Sequence, residues 1–132
     1  MNHAATVVAS AAELLASADR VCQGQTPIPG MSRPRAACLL TRQALEQVID
    51  ELLDEQQSGC PDASVRIRLI CLADTYNREP ELVHRAVAAW HQLSSACHHH
   101  AYELGPTLGE AETMVDEVTW LSNRLRPPDA GS

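Results

Sequence analysis

The chain has no phenylalanine and only four other aromatic side chains, Tyr76, Trp90, Tyr102 and Trp120, in 132 residues. Strand-forming β-branched residues never alternate with polar ones over a strand's length, so a sheet core is not what this composition builds. A C-x-x-C pair is also missing. The five cysteines, Cys22, Cys38, Cys60, Cys71 and Cys97, are odd in number and scattered. That spacing is not the one zinc and dithiol motifs use, and it predicts free thiols acting as small hydrophobes. A reducing cytoplasm is the expected compartment. No window approaches the roughly 20 apolar residues of a bilayer-spanning helix. The Ala-rich start has no basic region and is interrupted by Glu13, which is not the pattern of a secretory leader. There is no Gly-rich phosphate loop, no G-x-S-x-G and no H-E-x-x-H, and no cofactor is expected. Positive charge is short: ten basic against seventeen acidic side chains leave a formal net charge of −7, which repels nucleic acid at long range and leaves any RNA contact to a local patch. Arg33, Arg35 and Arg42 form the one basic cluster, read as a solvated helix start or, alternatively, as RNA phosphate contacts.

What is present is helical periodicity. Apolar positions Val7, Val8, Ala11, Leu14, Leu15, Ala18 and Val21 recur at three and four spacing and predict a helix over 4–22. The stretch 23–34, with Gly24, Pro27, Pro29, Gly30 and Pro34, predicts a connector. A second helix is expected over 35–57, stopped by Gly59 and Pro61. Asp62 or Ser64 can cap a third helix over 64–76; its apolar run resembles a strand, but a lone strand has no partner here. Pro80 suits the first turn of a fourth helix that runs to Gly105-Pro106. Thr107 followed by Glu110 is a capping-box pattern opening a fifth helix over 108–124. These helices predict an all-α, up-and-down bundle of four to five helices in one domain, 1–126, with a frayed tail over 127–132. Its expected core holds Leu14, Leu40, Val48, Leu52, Ile70, Val87, Trp90, Leu93, Val115 and Val118.

Five of the six histidines fall within 79–104, on what reads as one helix. At 100° per residue, Val83, Ala86, Val87, Trp90, Leu93, Cys97, Ala101 and Leu104 form a core arc. His84, His91, His98 and Tyr102 follow one edge of it. The three histidines are seven apart, roughly 10 Å of rise between neighbours, too wide for two to share one metal unaided. Ser95 lies near that stripe, His99 points outward with Arg85, and His100 sits at the opposite edge. Imidazoles so placed can supply acid/base chemistry, metal ligands or a pH switch, or simply pack at a core edge. Arg85 can pair with Glu81 one turn earlier.

A metal reading uses Glu81-x-x-His84 with Glu46, Asp50 or Asp54 as oxygen ligands, but the second Glu-x-x-His that such bundles need is missing. Arg85-x5-His91 on the fourth helix, together with the helix order and the run from Trp90 to Thr107, resembles the HEPN superfamily and its Arg, four to six residues, His motif. The resemblance implies a homodimer and metal-independent RNA cleavage of a toxin or defence type, with Arg85 on the phosphate and His91 as acid/base. Ala86 stands where the family often has Asn, and His98 is the alternative motif histidine. Arg85, His91 and His98 are therefore the candidate catalytic residues, and His84, Ser95, His99, His100 and Tyr102 further site candidates. The expected partners are a second copy through the fourth helix, RNA and a cognate protein. The alternative is a non-enzymatic dimeric interaction module.

Overall fold

Ser10 opens the first helix by a reciprocal pair: its hydroxyl accepts the Glu13 N–H at 3.1 Å, and the Glu13 carboxylate accepts the Ser10 N–H at 2.8 Å. Two of the donors that a helix start leaves orphaned are thereby satisfied. In the computed structural model, which describes residues 9–60, 63–98 and 105–125, the elements are α1 (Ala11–Cys22), α2 (Arg33–Glu55), α3 (Val65–Thr75), α4 (Pro80–Cys97) and α5 (Leu108–Asn123), with no strand among the described residues. The expected all-α bundle is what forms. Ser32, Ser64 and Thr107 cap α2, α3 and α5, and the capping box foreseen at Thr107 and Glu110 is present. No described helix is long and apolar enough to cross a membrane.

Side-chain bonds fix the direction of each helix. Gln47 donates to the Ala9 carbonyl at 2.6 Å, and Arg33 to the Cys22 carbonyl at 3.4 Å, so α1 runs antiparallel to α2. Arg35 reaches the carbonyls of Ala96 and His98 while Arg42 lies over Trp90, so α4 also opposes α2. Arg85 meets Glu117 and Arg124 meets Glu79, which sets α5 antiparallel to α4. The result is an up-down-up-down bundle of α1, α2, α4 and α5, with α3 spanning the connection from α2 to α4. Contacts join α2 to every other helix, whereas α1 and α4 do not touch within the described residues. Because α2 is central it buries a wide arc, including Ala37, Ala44, Leu45, Val48, Ile49 and Leu52. Its one buried polar side chain, Thr41, donates to the Ala37 carbonyl at 2.7 Å. Tyr76 pins the end of α3 to α2 through a 2.7 Å bond to the Leu52 carbonyl.

Five sequence expectations need correction. The first helix, expected over 4–22, begins only at Ala11, because Ser10 is extended at ψ 163° and caps its start. Ile70, assigned to the core, is 65% exposed. The inward face of α3 is Val65, Leu69, Leu72 and Tyr76, and Ile70 lies one residue off it. On α4 the buried positions are Leu82, Ala86, Ala89 and Leu93, an arc turned by about one residue from the expected one. Small Ala86 and Ala89 let the α4 backbone approach its neighbours, leaving Val87 and Trp90 half-buried. Leu40 is half-buried as well, while Leu14, Val48, Leu52, Leu93, Val115 and Val118 are core. The second helix begins at Arg33 and ends at Glu55. Ser58 and Gln57 donate back to the carbonyls of Leu53 and Asp54, with Gln57 left-handed at φ 51° where glycine is usual. Finally, α4 stops at Cys97 and His98 is already extended at ψ 132°. His99, His100 and Tyr102 and the tail over 127–132 lie outside the described residues.

Candidate functional site at the end of α4

Where α4 ends, α5 begins and α2 starts, an open pocket of about 890 Å³ is lined by Arg35, His91, Ser95, His98, Thr107 and Glu110, among others. Three of the sequence candidates, His91, Ser95 and His98, are thus brought to one place. His91 and Ser95 are a turn apart on α4, and both face solvent. His98 caps the helix: its own N–H donates to the Ser94 and Ser95 carbonyls, each at 3.2 Å.

Arg35 builds this end of the molecule. Its Nη1 donates to the Ala96 carbonyl at 3.4 Å and the His98 carbonyl at 3.1 Å, satisfying acceptors that a helix C-terminus leaves open. The guanidinium rests against Gly105, where an added Cβ would come within 2.9 Å of Nη2. An equivalent clamp lies beside it. Arg33 reaches the Cys22 carbonyl at the end of α1, and a Cβ on Gly24 would approach its Nη1 to 2.6 Å. The basic cluster at the start of α2 is therefore not merely solvated: it faces the negative ends of two antiparallel neighbours. Sequence reasoning missed Arg35 as a pocket residue, because only the antiparallel pairing of α2 with α4 brings it to His98.

The other candidates sit elsewhere. His84 is exposed near the opposite end of α4 and does not line the pocket. Arg85 faces α5. Its Nε and Nη2 donate to the two Glu117 oxygens at 2.7 and 2.9 Å, its carbon lies 3.6 Å from the centre of the Trp120 ring, and Glu81 approaches to 3.7 Å. This bidentate bond holds the Arg85 proton more tightly and keeps the Glu117 carboxyl below its ordinary value. Arg85 and His91, neighbours in the sequence motif, are thus directed to different surroundings.

Glu46 and Asp50, the oxygen ligands of the metal reading, are both engaged by Arg68. No group of three His, Cys, Asp or Glu able to hold a metal ion occurs among the described residues. Among the residues lining the pocket, Cys38 is buried, and burial pushes its thiol up to about 11, so it is protonated at neutral pH.

No family model, curated protein or solved structure matches this chain.

Proposed function

We propose that the chain acts on RNA at the pocket between α4 and α5, as a metal-independent endoribonuclease of a toxin or defence type working in the cytoplasm. The observation that carries this reading is the convergence of His91, Ser95 and His98 beside Arg35 and the N-terminal end of α5. Two imidazoles are what transesterification needs. One takes the proton of a ribose 2′-hydroxyl, whose oxygen attacks the adjacent phosphorus. The other gives a proton to the departing 5′-oxygen, leaving a 2′,3′-cyclic phosphate and a 5′-hydroxyl. The Arg35 guanidinium supplies positive charge for the phosphorane. The HEPN-like spacing of Arg85 and His91 points the same way, with its roles divided: His91 serves the pocket, and Arg85 positions α4 against α5.

The test is cleavage of total RNA by the purified chain in excess chelator. His91→Ala and His98→Ala each lower the rate by about 10²-fold or more while the fold, read by circular dichroism, is unchanged. A folded wild type that leaves RNA intact removes the catalytic reading.

A second reading, an interaction module that pairs with a second copy of itself, is favoured by α3. Among the described helical residues the exposed large apolar ones are Ile67 and Ile70, both on α3 rather than α4. Arg66 and Asp74, also exposed, flank Ile70 four residues to either side. Two α3 helices crossing antiparallel at Ile70 would set each Arg66 against the other's Asp74, a self-complementary arrangement. At 11 residues, about 16 Å long, the helix buries less than the roughly 800 Å² per partner of a stable interface, so the dimer is concentration-dependent. Sedimentation separates the outcomes. Ile70→Asp and Asp74→Arg give monomer, and Arg66→Asp combined with Asp74→Arg restores the dimer. A wild type that stays monomeric at high concentration excludes it.

A further inference from the structure

Two of the five cysteines are not the isolated thiols that their scatter in the sequence predicts. After α2 the chain turns through Gln57 and Gly59, both left-handed at φ 51° and 73°, and the Ser58 hydroxyl accepts the Cys60 N–H at 3.2 Å. That turn returns Cys60 to the flank of α3, where its thiol donates to the Cys71 sulfur with the two sulfur atoms 2.6 Å apart. Both side chains are half-exposed, unlike the buried Cys22 and Cys38. The hydrogen bond to Cys71, with burial adding to it, pushes the Cys60 thiol up to about 11, against the opposing charge of Arg68. Cys60 therefore rests as a protonated thiol at neutral pH. Both side chains also pack against the edge of the core, which brings the loop cysteine to the helical one.

We propose that Cys60 and Cys71 are a reversible disulfide site that exchanges with a small disulfide of the glutathione class and, when closed, ties the α2–α3 connection to α3. One protein thiol, as thiolate, attacks a sulfur of the small disulfide; the old S–S bond breaks and a small thiolate leaves. The second protein thiol gives up its proton and attacks the mixed disulfide, forming the Cys60–Cys71 bond and expelling the second small thiolate. Two protein thiols are oxidised and one small disulfide is reduced to two thiols. A reducing thiol pool runs the same steps backwards, so the site suits a compartment in which disulfides form transiently.

The experiment treats the full chain with glutathione disulfide, blocks remaining thiols with iodoacetamide and maps tryptic peptides. The expected product is peptide 43–66 linked to peptide 69–78, with Cys22, Cys38 and Cys97 alkylated, and with full reversal by dithiothreitol. Cys60→Ser and Cys71→Ser, folded by circular dichroism, stop at the mixed disulfide with the small thiol. Cleavage after Arg66 in the native chain slows on oxidation and recovers on reduction. The proposal is overturned if the folded wild type yields no linked peptide, if either serine variant forms an internal disulfide to the same extent, or if oxidation leaves cleavage after Arg66 unchanged.

Discussion

Each of the ten basic side chains is an arginine, and the planar guanidinium, with its fork of donors and its affinity for aromatic faces, explains how they are used. Arg42 covers Trp90, Arg33 and Arg35 hold carbonyls, and Arg85 does two things at once, gripping Glu117 with two nitrogens and lying over Trp120. A lysine could not grip and stack in the same way, so Arg85→Lys is expected to lower the melting temperature although it keeps the charge. The Glu117 carboxyl is held below its ordinary 4.5 by Arg85. A carboxylate whose pKa is depressed by folding contributes stability that is full above its unfolded value and is lost as pH falls through the folded one. The melting temperatures of wild type and Glu117→Gln should therefore differ most near neutrality and converge as pH falls below the ordinary carboxylate value and through the lowered one. A gap that persists unchanged in acid would mean that Glu117 contributes by packing and not by charge.

At the scale of the element, α2 breaks a rule and its neighbours explain why. It has no acidic residue in its first turn and no basic one in its last, the reverse of what its own dipole favours. Its early arginines instead face the C-terminal ends of α1 and α4, which antiparallel packing places beside them. The Arg35 guanidinium bonds two carbonyls at the end of α4, so Arg35→Ala costs about 1 kcal/mol and frays the last turn. Amide exchange at Cys97 and His98 should quicken while that at Leu82 and Ala86 stays slow. Equal acceleration along all of α4 would show that the residue holds the whole helix and not its end. These arginines also mark where sequence reading stops. Helix existence was legible from three-and-four spacing, and helix starts from Thr107, Ser64 and Pro80, because caps act within three or four residues. The end of α4 was not, because Gly105-Pro106 is the nearest local stop signal. What accompanies the actual end is Arg35, 63 residues before the His98 whose carbonyl it bonds.

For the molecule as a whole, the same division holds between what is local and what assembly decides. The histidine-rich segment could be found by counting, but the meeting of His91 and His98 with Arg35, and the separation of Arg85 from His91, follow from the order in which α2, α4 and α5 pack. The one-residue rotation of α4 puts Leu82, Ala86, Ala89 and Leu93 inward, a packing choice that hydropathy alone does not rank. Since α2 touches every other helix and supplies the arginine that shapes the pocket, bundle and site should be lost together. Leu45, fully buried on α2, is the place to test this, since truncation to alanine in a core costs about 2–5 kcal/mol, a large share of the 5–15 kcal/mol typical of a domain. Far-UV circular dichroism follows all five helices. Tryptophan fluorescence follows only Trp90 on α4, beneath Arg42, and Trp120 on α5, beneath Arg85. The two signals should melt at one midpoint in the wild type and at one lower midpoint in Leu45→Ala, as a two-state unit requires. If fluorescence held its midpoint while circular dichroism fell, α4 and α5 would form a unit that survives the loss of α2. The pocket would then have to be understood as the product of those two helices alone.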